Sequence, residues 1–284
     1  MEVFFLGPLR SFKTQKKKSR QNNPLNMKNI VAIINQKGGV GKTTTSINLS
    51  CGLALKGKKV LLIDLDPQAH STIGLGIEPG TYPVALNDVL VNKKKMAEVI
   101  LKTKQENLFL APSHIRLDRA EQQLAPELFR ETFLYKTIQN LHYDYIMIDC
   151  RPTLGTLTVN ALYACNFIIV PCEISRYALD GFSDLIETIE NVKNHDELEK
   201  EKYIRILLTK YDPRNKVSNE WVLQQLEPYK ELIFQTIIRK NEALNQAHMA
   251  QEPIFTFKPD SSGGEDYQKL TTEFLNLCHQ SEKN

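Results

Sequence analysis

From residue 28 onward, short and uninterrupted runs of apolar residues alternate with stretches of helical periodicity. A continuous apolar run is typical of a strand in a parallel sheet, because helices cover both faces of such a sheet. Six runs are predicted as strands: NIVAIIN (29–35), KVLLIDLD (59–66), ENLFLAPS (106–113), YDYIMIDC (143–150), CNFIIVPC (165–172) and YIRILLTKYD (203–212). We expect an α/β fold with a single doubly wound, mostly parallel sheet flanked by helices.

The segments between these runs have the apolar spacing of helices. After the first run, Ile47, Cys51 and Leu55 follow one another at helical intervals, and Gly57 ends the pattern. Further helices are predicted over 126–141, 177–194, 217–229 and 264–278, and a last strand over LIFQTII (232–238). Because no repeat or linker interrupts this pattern, residues 27–280 are expected to form one domain.

The first 26 residues differ from the rest in charge. They carry six basic side chains and one acidic side chain, and no predicted core element. We expect residues 1–26 to be a basic, disordered extension; translation that starts at Met27, or a functional basic arm, fits the same composition. This segment accounts for the net charge of +3, so any DNA contact of the domain must come from a local patch.

Five cysteines occur without a C-x-x-C pair: Cys51, Cys150, Cys165, Cys172 and Cys278. Most lie in or beside apolar segments, which favours buried thiols in a reducing, cytoplasmic setting and indicates neither a zinc site nor a disulfide framework. The chain also has no apolar run near the ~18 residues that a membrane-spanning helix needs.

The turn QKGGVGKTT (36–44), between the first strand and the first helix, has the composition of a phosphate-binding loop. Glycines let backbone N–H groups curl around an anion, and the helix dipole strengthens the field there. Lys42 is expected to contact the β- and γ-phosphates of a nucleotide, Thr43 to ligate Mg²⁺, and Thr44 to reach the α-phosphate. The nucleotide-binding residues predicted in this loop are Lys37, Gly38, Gly39, Val40, Gly41, Lys42, Thr43 and Thr44.

The loop nevertheless departs from the usual pattern G-x-x-x-x-G-K-[ST]. Gln36 stands where the first glycine is expected, and an extra lysine, Lys37, follows it. The residues alone leave open whether the site is degraded or whether the second lysine has a function.

Three acidic residues end predicted strands. Asp149 closes YDYIMID, where a carboxylate would hold Mg²⁺ directly or through a water. Asp64 and Asp66 close the second strand in VLLIDLDPQ. Asp64 is at least as well explained by capping the turn, whereas Asp66 lies further into the loop and closer to where an attacking water would wait.

Three segments, KGGVGKTT, DLDPQ and DCRPTLG, together resemble the deviant Walker A ATPases of the ParA/MinD group, a class of P-loop NTPases. Other segments resemble the ParA partition subfamily: QAHSTIGLG, PCEISRYALDGFSDLIETI, residues 209–221 and DSSGGEDYQKLTTE. The resemblance covers residues 27–277 in order. It implies a Mg²⁺-dependent, slow and partner-stimulated ATPase with ATP and Mg²⁺ as its ligands.

The resemblance also answers the question of the extra lysine. In that family two protomers enclose two ATP molecules, and the residue matching Lys37 crosses the interface to the partner's nucleotide. It implies catalytic roles for Lys37, Lys42 and Asp66, with Asp66 orienting the hydrolytic water. Gly38 is then expected where the two loops meet.

The segment TKYD, with Thr209 and Asp212, bears on which base is bound. A [NT]-K-x-D run after a late strand is how many P-loop GTPases recognise guanine. The ParA resemblance implies ATP, with Thr209 and Asp212 at the nucleotide. A GTP-using relative is the alternative.

DNA binding is implied by the resemblance alone. ParA dimers bind DNA without sequence preference, and Arg214 and Lys240 match basic positions of the family. Ala243 stands where a second arginine is expected, and Lys216, Arg239 or the basic extension would have to replace its charge.

A second departure from the family pattern follows the strand that ends in Asp149. The chain has Arg151 before Pro152, where the family has two prolines. Arg151 is either a tolerated exposed residue or one that alters the switching rate.

The expected function is therefore a nucleoid-associated switch. ATP gives a homodimer on non-specific DNA, a ParB-type partner triggers hydrolysis, and a chromosome or plasmid is segregated. A MinD-like membrane-associated ATPase is an alternative, but the apolar stripe of Leu270, Phe274 and Leu277 is better explained by core packing, so no stable membrane anchor is expected. An iron–sulfur reductase and an amidotransferase-type ligase of the same superfamily are further rivals.

Overall fold

The computed structural model describes residues 29–175, 181–194 and 202–281. The predicted extension, residues 1–26, and the start of the predicted helix at 177–180 lie outside the described residues. Seven strands form one sheet with the order β3-β4-β2-β5-β1-β6-β7. Their bounds are β1 Asn29–Ile33, β2 Val60–Leu65, β3 Leu101–Lys102, β4 Leu108–Ala111, β5 Tyr145–Cys150, β6 Phe167–Glu173 and β7 Tyr203–Thr209.

Helices cover both faces of the sheet. Within the described ranges they are α1 Lys42–Leu55, α2 His70–Gly74, α3 Leu86–Leu90, α4 Met96–Val99, α5 Arg116–Leu124, α6 Phe133–Ile138, α7 Thr156–Ala164, α8 Phe182–Asn194, α9 Lys216–Gln225, α10 Glu242–Met249, α11 Ile254–Phe257 and α12 Ser262–Ser281. Short 3₁₀ turns occupy Arg130–Thr132 and Glu227–Leu232. The predicted fold class is confirmed, since every pairing except β3 with β4 is parallel.

The predicted last strand over residues 232–238 is wrong. This segment makes one isolated bridge to β7, between Ile233 and Ile206. The amides of Gln235 and Thr236 donate instead to the Glu273 carboxylate of α12, at 2.7 and 2.8 Å. A side chain from another layer thus takes bonds that a strand partner would receive.

Two other predictions needed correction. The helix predicted over 126–141 is shorter, because Phe129 adopts φ 56° and only Phe133–Ile138 is α-helical. The seventh strand is the two-residue β3, which pairs antiparallel with β4 and is too short to leave a periodic signal.

Two apolar layers hold the sheet. Alternate residues of β1 point to opposite faces, so Ala32 joins the layer beneath α5, α7 and α8, whereas Ile33 joins the layer beneath α1 and α12. Leu270 and Phe274 of α12 are fully buried in the second layer, which is the core packing expected for that stripe. None of the helices described here has the length and apolar character needed to cross a bilayer.

The strand register brings the polar residues together at one edge. β1 lies between β5 and β6, and its last residue, Ile33, is level with Asp149 of β5. On the other side of β5, Asp64 of β2 is level with the same aspartate. The carboxyl ends of β1, β2 and β5 therefore meet at the mouth of the glycine-rich loop, the usual ligand site of an open α/β sheet.

Candidate nucleotide site at the carboxyl edge

The glycine-rich loop has the backbone of an anion cradle. Gly39 and Gly41 have φ values of 74° and 91°, a region that glycine enters without strain. Gly41 immediately precedes α1, and as a glycine it offers no side chain to cap the first amides of the helix. Those amides and the helix dipole are therefore available to a phosphate group.

Lys42 places its ammonium inside this loop. The residue is 7% exposed, and its Nζ donates to the Lys37 carbonyl at 3.0 Å. Burial lowers the pKa of Lys42, and the nearby negative charge of Asp149 opposes that shift. The loop therefore holds a cation beside a buried carboxylate.

Asp149 is the centre of a buried oxygen cluster and is 1% exposed. Its carboxylate accepts hydrogen bonds from Thr43 Oγ1 at 2.8 Å, Ser46 Oγ at 2.9 Å and Ser71 Oγ at 2.7 Å. Burial raises the pKa of Asp149, while these hydroxyl groups and the charge of Lys42 act against it. A carboxylate with hydroxyl oxygens suits Mg²⁺, so Thr43 and Asp149 fit their predicted role as its ligands.

Sequence reasoning missed two members of this cluster. Ser46 lies three residues after Thr43 on the same face of α1, a spacing that was visible in the sequence. Ser71 reaches Asp149 from α2, 78 residues away in the chain, and no local pattern indicates that contact.

Asp64 has a structural role, which is to attach α2 to the end of β2. It is fully buried and accepts from the backbone N–H and the hydroxyl of Thr72 at 2.8 and 2.6 Å, which fixes α2 to the end of β2. Burial and the neighbouring charge of Asp149 raise the pKa of Asp64 to about 8. The turn-capping interpretation of Asp64 therefore agrees with the structure.

Asp66 lies in the turn after β2, beside the Asp149 end of β5, and is partly exposed. Its Oδ1 accepts from the backbone N–H of Gln68 at 3.0 Å. The bond holds the carboxylate at the rim of the loop, within the part of the edge that solvent reaches.

Lys37 contacts its own subunit. Its Nζ donates to Ser175 Oγ at 2.8 Å and lies 3.8 Å from the Glu173 carboxylate, with the side chain 28% exposed. Gly38 next to it is exposed, and a Cβ there would meet no atom of this chain within 4 Å. The ammonium of Lys37 is therefore partly exposed against Ser175 and Glu173, whereas that of Lys42 lies inside the loop.

Thr209 supports the loop from behind. It is 2% exposed, and its Oγ1 donates to the Val40 carbonyl at 2.9 Å. This bond ties the end of β7 to the glycine-rich loop. Thr209, predicted to lie at the nucleotide, thus contacts the backbone of the cradle.

Asp212 and Arg214 form a pair at the surface. Arg214 donates to the two carboxylate oxygens of Asp212 from Nε at 2.9 Å and from Nη2 at 2.7 Å. Those bonds lower the pKa of Asp212 to about 2. In the described structure the carboxylate predicted to face the base is therefore bound to the arginine predicted to face DNA.

A cavity of about 430 Å³ opens beside this pair, lined by Tyr211, Asp212, Arg214, Lys240, Asn241 and Ser262 among others. Lys240 is exposed at its rim. The charge of Arg239 is compensated by its ion pairs with Asp266 and Glu265, so it does not replace the arginine that is missing at Ala243. Ala243 itself is buried.

Comparison with known proteins agrees with this site. The AAA domain family matches residues 28–206. The chain is 40% identical over 250 residues to the sporulation initiation inhibitor protein Soj of Bacillus subtilis, covering 87% of this chain and 98% of Soj. It is 38% identical to the chromosome-partitioning ATPase Soj of Treponema pallidum, covering 86% and 96% of the two chains.

A solved structure is also similar. Cobyrinic acid a,c-diamide synthase from Mycobacterium smegmatis, with bound ADP and magnesium, superposes with a TM-score of 0.78 and 30% identity, covering 90% of this chain and 97% of that one. The two Soj proteins share the higher identity over nearly their whole length. With its glycine-rich loop, second lysine and buried aspartate, this chain belongs to the ParA family of partition ATPases, within the AAA domain family.

Proposed function

We propose that the ATP-bound form of this protein is a homodimer that holds DNA without sequence preference and leaves it when a ParB-type partner stimulates hydrolysis. The cycle would move a chromosome or plasmid and keep the dimer at the nucleoid. The observation that carries the proposal is the exposure of the second lysine in the phosphate loop. The side chain of Lys37 is 28% exposed, and the neighbouring Gly38 is exposed as well.

The chain is an ATPase, and its ligands are ATP and Mg²⁺. Backbone amides of the loop and Lys42 bind the phosphates, with Thr44 near the α-phosphate. Thr43 and Asp149 would hold Mg²⁺, which supplies charge neutralisation on the phosphates when bound. Asp66, at the rim, orients the water that attacks.

Lys37 would act in the partner subunit. A cation delivered across an interface stabilises the charge that develops on the transferred phosphoryl group, and the analogous arginine finger contributes about 10³–10⁵ in rate. To reach the partner, Lys37 must leave Ser175 and Glu173, which hold it in its own subunit at 2.8 and 3.8 Å. Those partly exposed contacts are weak, so a nucleotide phosphate can replace them.

The DNA surface would be a small patch around the cavity. Arg214 and Lys240 are exposed there, with Lys216 nearby at the start of α9. Asp212 compensates part of the charge of Arg214 at 2.7 Å. We therefore expect weak binding that depends on several phosphates together and declines with salt.

The deciding experiment measures subunit association by analytical ultracentrifugation at micromolar concentration. With Mg·ATP the wild-type protein should sediment as a dimer, and Lys37→Ala as a monomer with little stimulated turnover. Lys210→Ala is the matched control, because Lys210 pairs with the same Glu173 at 3.5 Å but lies outside the loop. A wild-type protein that stays monomeric with Mg·ATP contradicts the proposal.

Two rivals are separated by ligand choice. If Asp212 recognised guanine, GTP would raise the melting temperature more than ATP, since the tighter ligand stabilises more. We expect the larger shift with ATP.

The similarity to cobyrinic acid a,c-diamide synthase makes ATP-dependent amidation a second rival. Amide formation from a corrinoid acid, absent in a no-enzyme control, would support it.

A MinD-like membrane role is tested by vesicle flotation with ATP. In this protein Leu270 and Phe274 are buried against the sheet, so α12 would have to leave the core to expose them. We expect no flotation with anionic vesicles and retention on DNA.

A further inference from the structure

The loop of residues 151–155 joins β5 to α7 and starts two residues after Asp149. Because β5 lies between β1 and β2, this loop borders the phosphate site together with the glycine-rich loop and the turn that holds Asp66. Any displacement of residues 151–155 therefore shifts the wall of the site nearest the Mg²⁺ ligand.

A charged clamp fixes the two ends of this loop to α5. Arg151 Nη1 donates to Glu121 Oε2 and, at 3.1 Å, to Asp118 Oδ1. The other oxygen of Glu121 accepts from the backbone N–H of Leu157 at 3.0 Å, in the first turn of α7. A Cβ at Gly155 would collide with that oxygen, so the carboxylate lies directly against the loop backbone. One side chain of α5 thus holds both the start and the end of the loop.

Of the other loop residues, Leu154 is partly buried and packs against the apolar core. Pro152 and Thr153 are exposed. Leu154 and Gly155 border a cavity of about 530 Å³ between α7 and α8, which leaves room for movement on that side. The bond from Thr158 to the Thr153 carbonyl ties the loop only to α7, its own continuation. The clamp is therefore the polar contact that, together with the packing of Leu154, sets where the loop lies relative to the sheet.

The clamp does not have the arrangement of a pair optimised for stability. Arg151 and Glu121 are 21% and 15% exposed, so the two charges are largely removed from water. Arg151 Nε is nevertheless buried without an acceptor among the described residues. An arginine selected for stability uses Nε and one Nη as a fork on a carboxylate, and an unpaired buried N–H is costly. This arrangement favours a role in positioning the loop.

We propose that Arg151 and Glu121 are positioning residues for ATP hydrolysis, which hold the loop between Asp149 and α7 in its hydrolytic arrangement. The proposal rests on the ATPase activity of this chain and does not require binding to DNA or to a ParB-type partner. It also assigns a function to the residue by which this chain departs from the Pro-Pro pattern of its family.

The test is a double-substitution cycle measured as kcat and KM for ATP without DNA or partner. Glu121→Gln keeps an acceptor for the Leu157 amide and removes the charge, and Arg151→Met keeps the length of the side chain. Each should lower kcat about tenfold with KM for ATP within about twofold, the effect of losing one charge-assisted hydrogen bond. The double variant should fall no further than either single variant, because both remove the same interaction.

Glu98→Gln is the matched control. Glu98 of α4 likewise accepts a backbone N–H, from Lys95 at 2.9 Å, and pairs with a cation, Lys94 at 3.5 Å, but it lies at the surface away from the site. Its kcat should equal that of the wild type. An unchanged kcat in folded Glu121→Gln, additive losses in the double variant, or a loss confined to KM would each overturn the proposal. Should Arg151→Met fail to fold, Glu121→Gln with its control still decides.

Discussion

The two ends of the candidate site are built in different ways. At the phosphate end, the carboxylate of Asp149 is 1% exposed and bound by hydroxyl groups from α1 and α2. At the β7 end, the side chain of Arg214 is 85% exposed and bound to Asp212, two residues earlier in the chain. The first end is assembled by contacts between distant elements, and the second by a local turn.

This difference predicts what substitutions do at each end. Groups held by buried contacts from several elements are preorganised, so they lose no alignment when the reaction begins. Groups held by an exposed local pair rearrange at little cost. Changes at the phosphate end should therefore alter the rate of hydrolysis, and changes at the β7 end should alter affinity.

The largest effect is expected for Asp149→Asn. The amide keeps the shape of the side chain but removes the charge that faces Mg²⁺ and Lys42, so turnover should fall about 10³-fold. The measurement is phosphate release at saturating Mg·ATP. Asp144→Asn is the matched control, since Asp144 precedes the same strand at the opposite edge and accepts the Lys59 amide at 2.7 Å. Comparable losses in both variants would show that the loss in Asp149→Asn does not depend on the position of this carboxylate at the phosphate end.

A second prediction concerns the pH dependence of stability at the phosphate end. The pKa of Asp64 is raised from 3.8 to about 8, so the folded protein binds a proton that the unfolded chain releases above pH 4. This contribution to stability is complete below pH 4 and is lost as pH rises towards 8. The slope reaches at most one proton, about 1.4 kcal/mol per pH unit.

Asp64→Asn tests that slope in the nucleotide-free protein. Asn cannot titrate, so the free energy of unfolding in urea should fall less steeply between pH 5 and 8 than in the wild type. Asp149 and Tyr82 are titratable groups whose charges interact with Asp64, and both remain in the two proteins. Equal slopes would show that another group carries the proton.

The same contrast explains what the sequence could predict. The glycine-rich loop is contiguous, so its position between β1 and α1 followed from local order alone. Six strands were likewise found from uninterrupted apolar runs, because a parallel strand that is buried on both faces is a continuous apolar run. Asp149 was found because it ends such a run.

Contacts between distant elements were not predictable. Ser71 joins Asp149 across 78 residues, and Glu121 joins Arg151 across 30. The strand predicted over 232–238 failed for the same reason, since Glu273 of α12 accepts hydrogen bonds from two of its amides, those of Gln235 and Thr236. Periodicity records which side of an element is apolar, and it does not record which polar side chain from another layer will bind there.

A third prediction concerns Thr209, whose hydrogen bond joins the end of β7 to the glycine-rich loop and so connects the two ends of the site. Thr209→Val removes the hydrogen bond to the Val40 carbonyl while keeping the shape of the side chain. Losing one buried hydrogen bond of about 1 kcal/mol should weaken nucleotide binding roughly fivefold. If Thr209 acts through the loop backbone, calorimetry will show the same factor for ATP and GTP. A change for one nucleotide only would place Thr209 at the base.

The smallest effect is expected for Arg214→Ala, at the β7 end. One exposed cation contributes one phosphate contact, so affinity for non-specific duplex DNA should fall only a few-fold, and the slope of log K against log salt should decrease by about 1. Fluorescence anisotropy across a salt series measures both. Asp212→Asn provides the opposite change, because it removes the carboxylate that compensates Arg214 and should raise affinity slightly. If Arg214→Ala instead lowered hydrolysis as much as Asp149→Asn, the β7 end would belong to the catalytic arrangement, and the separation between a preorganised end and a locally built end would not hold.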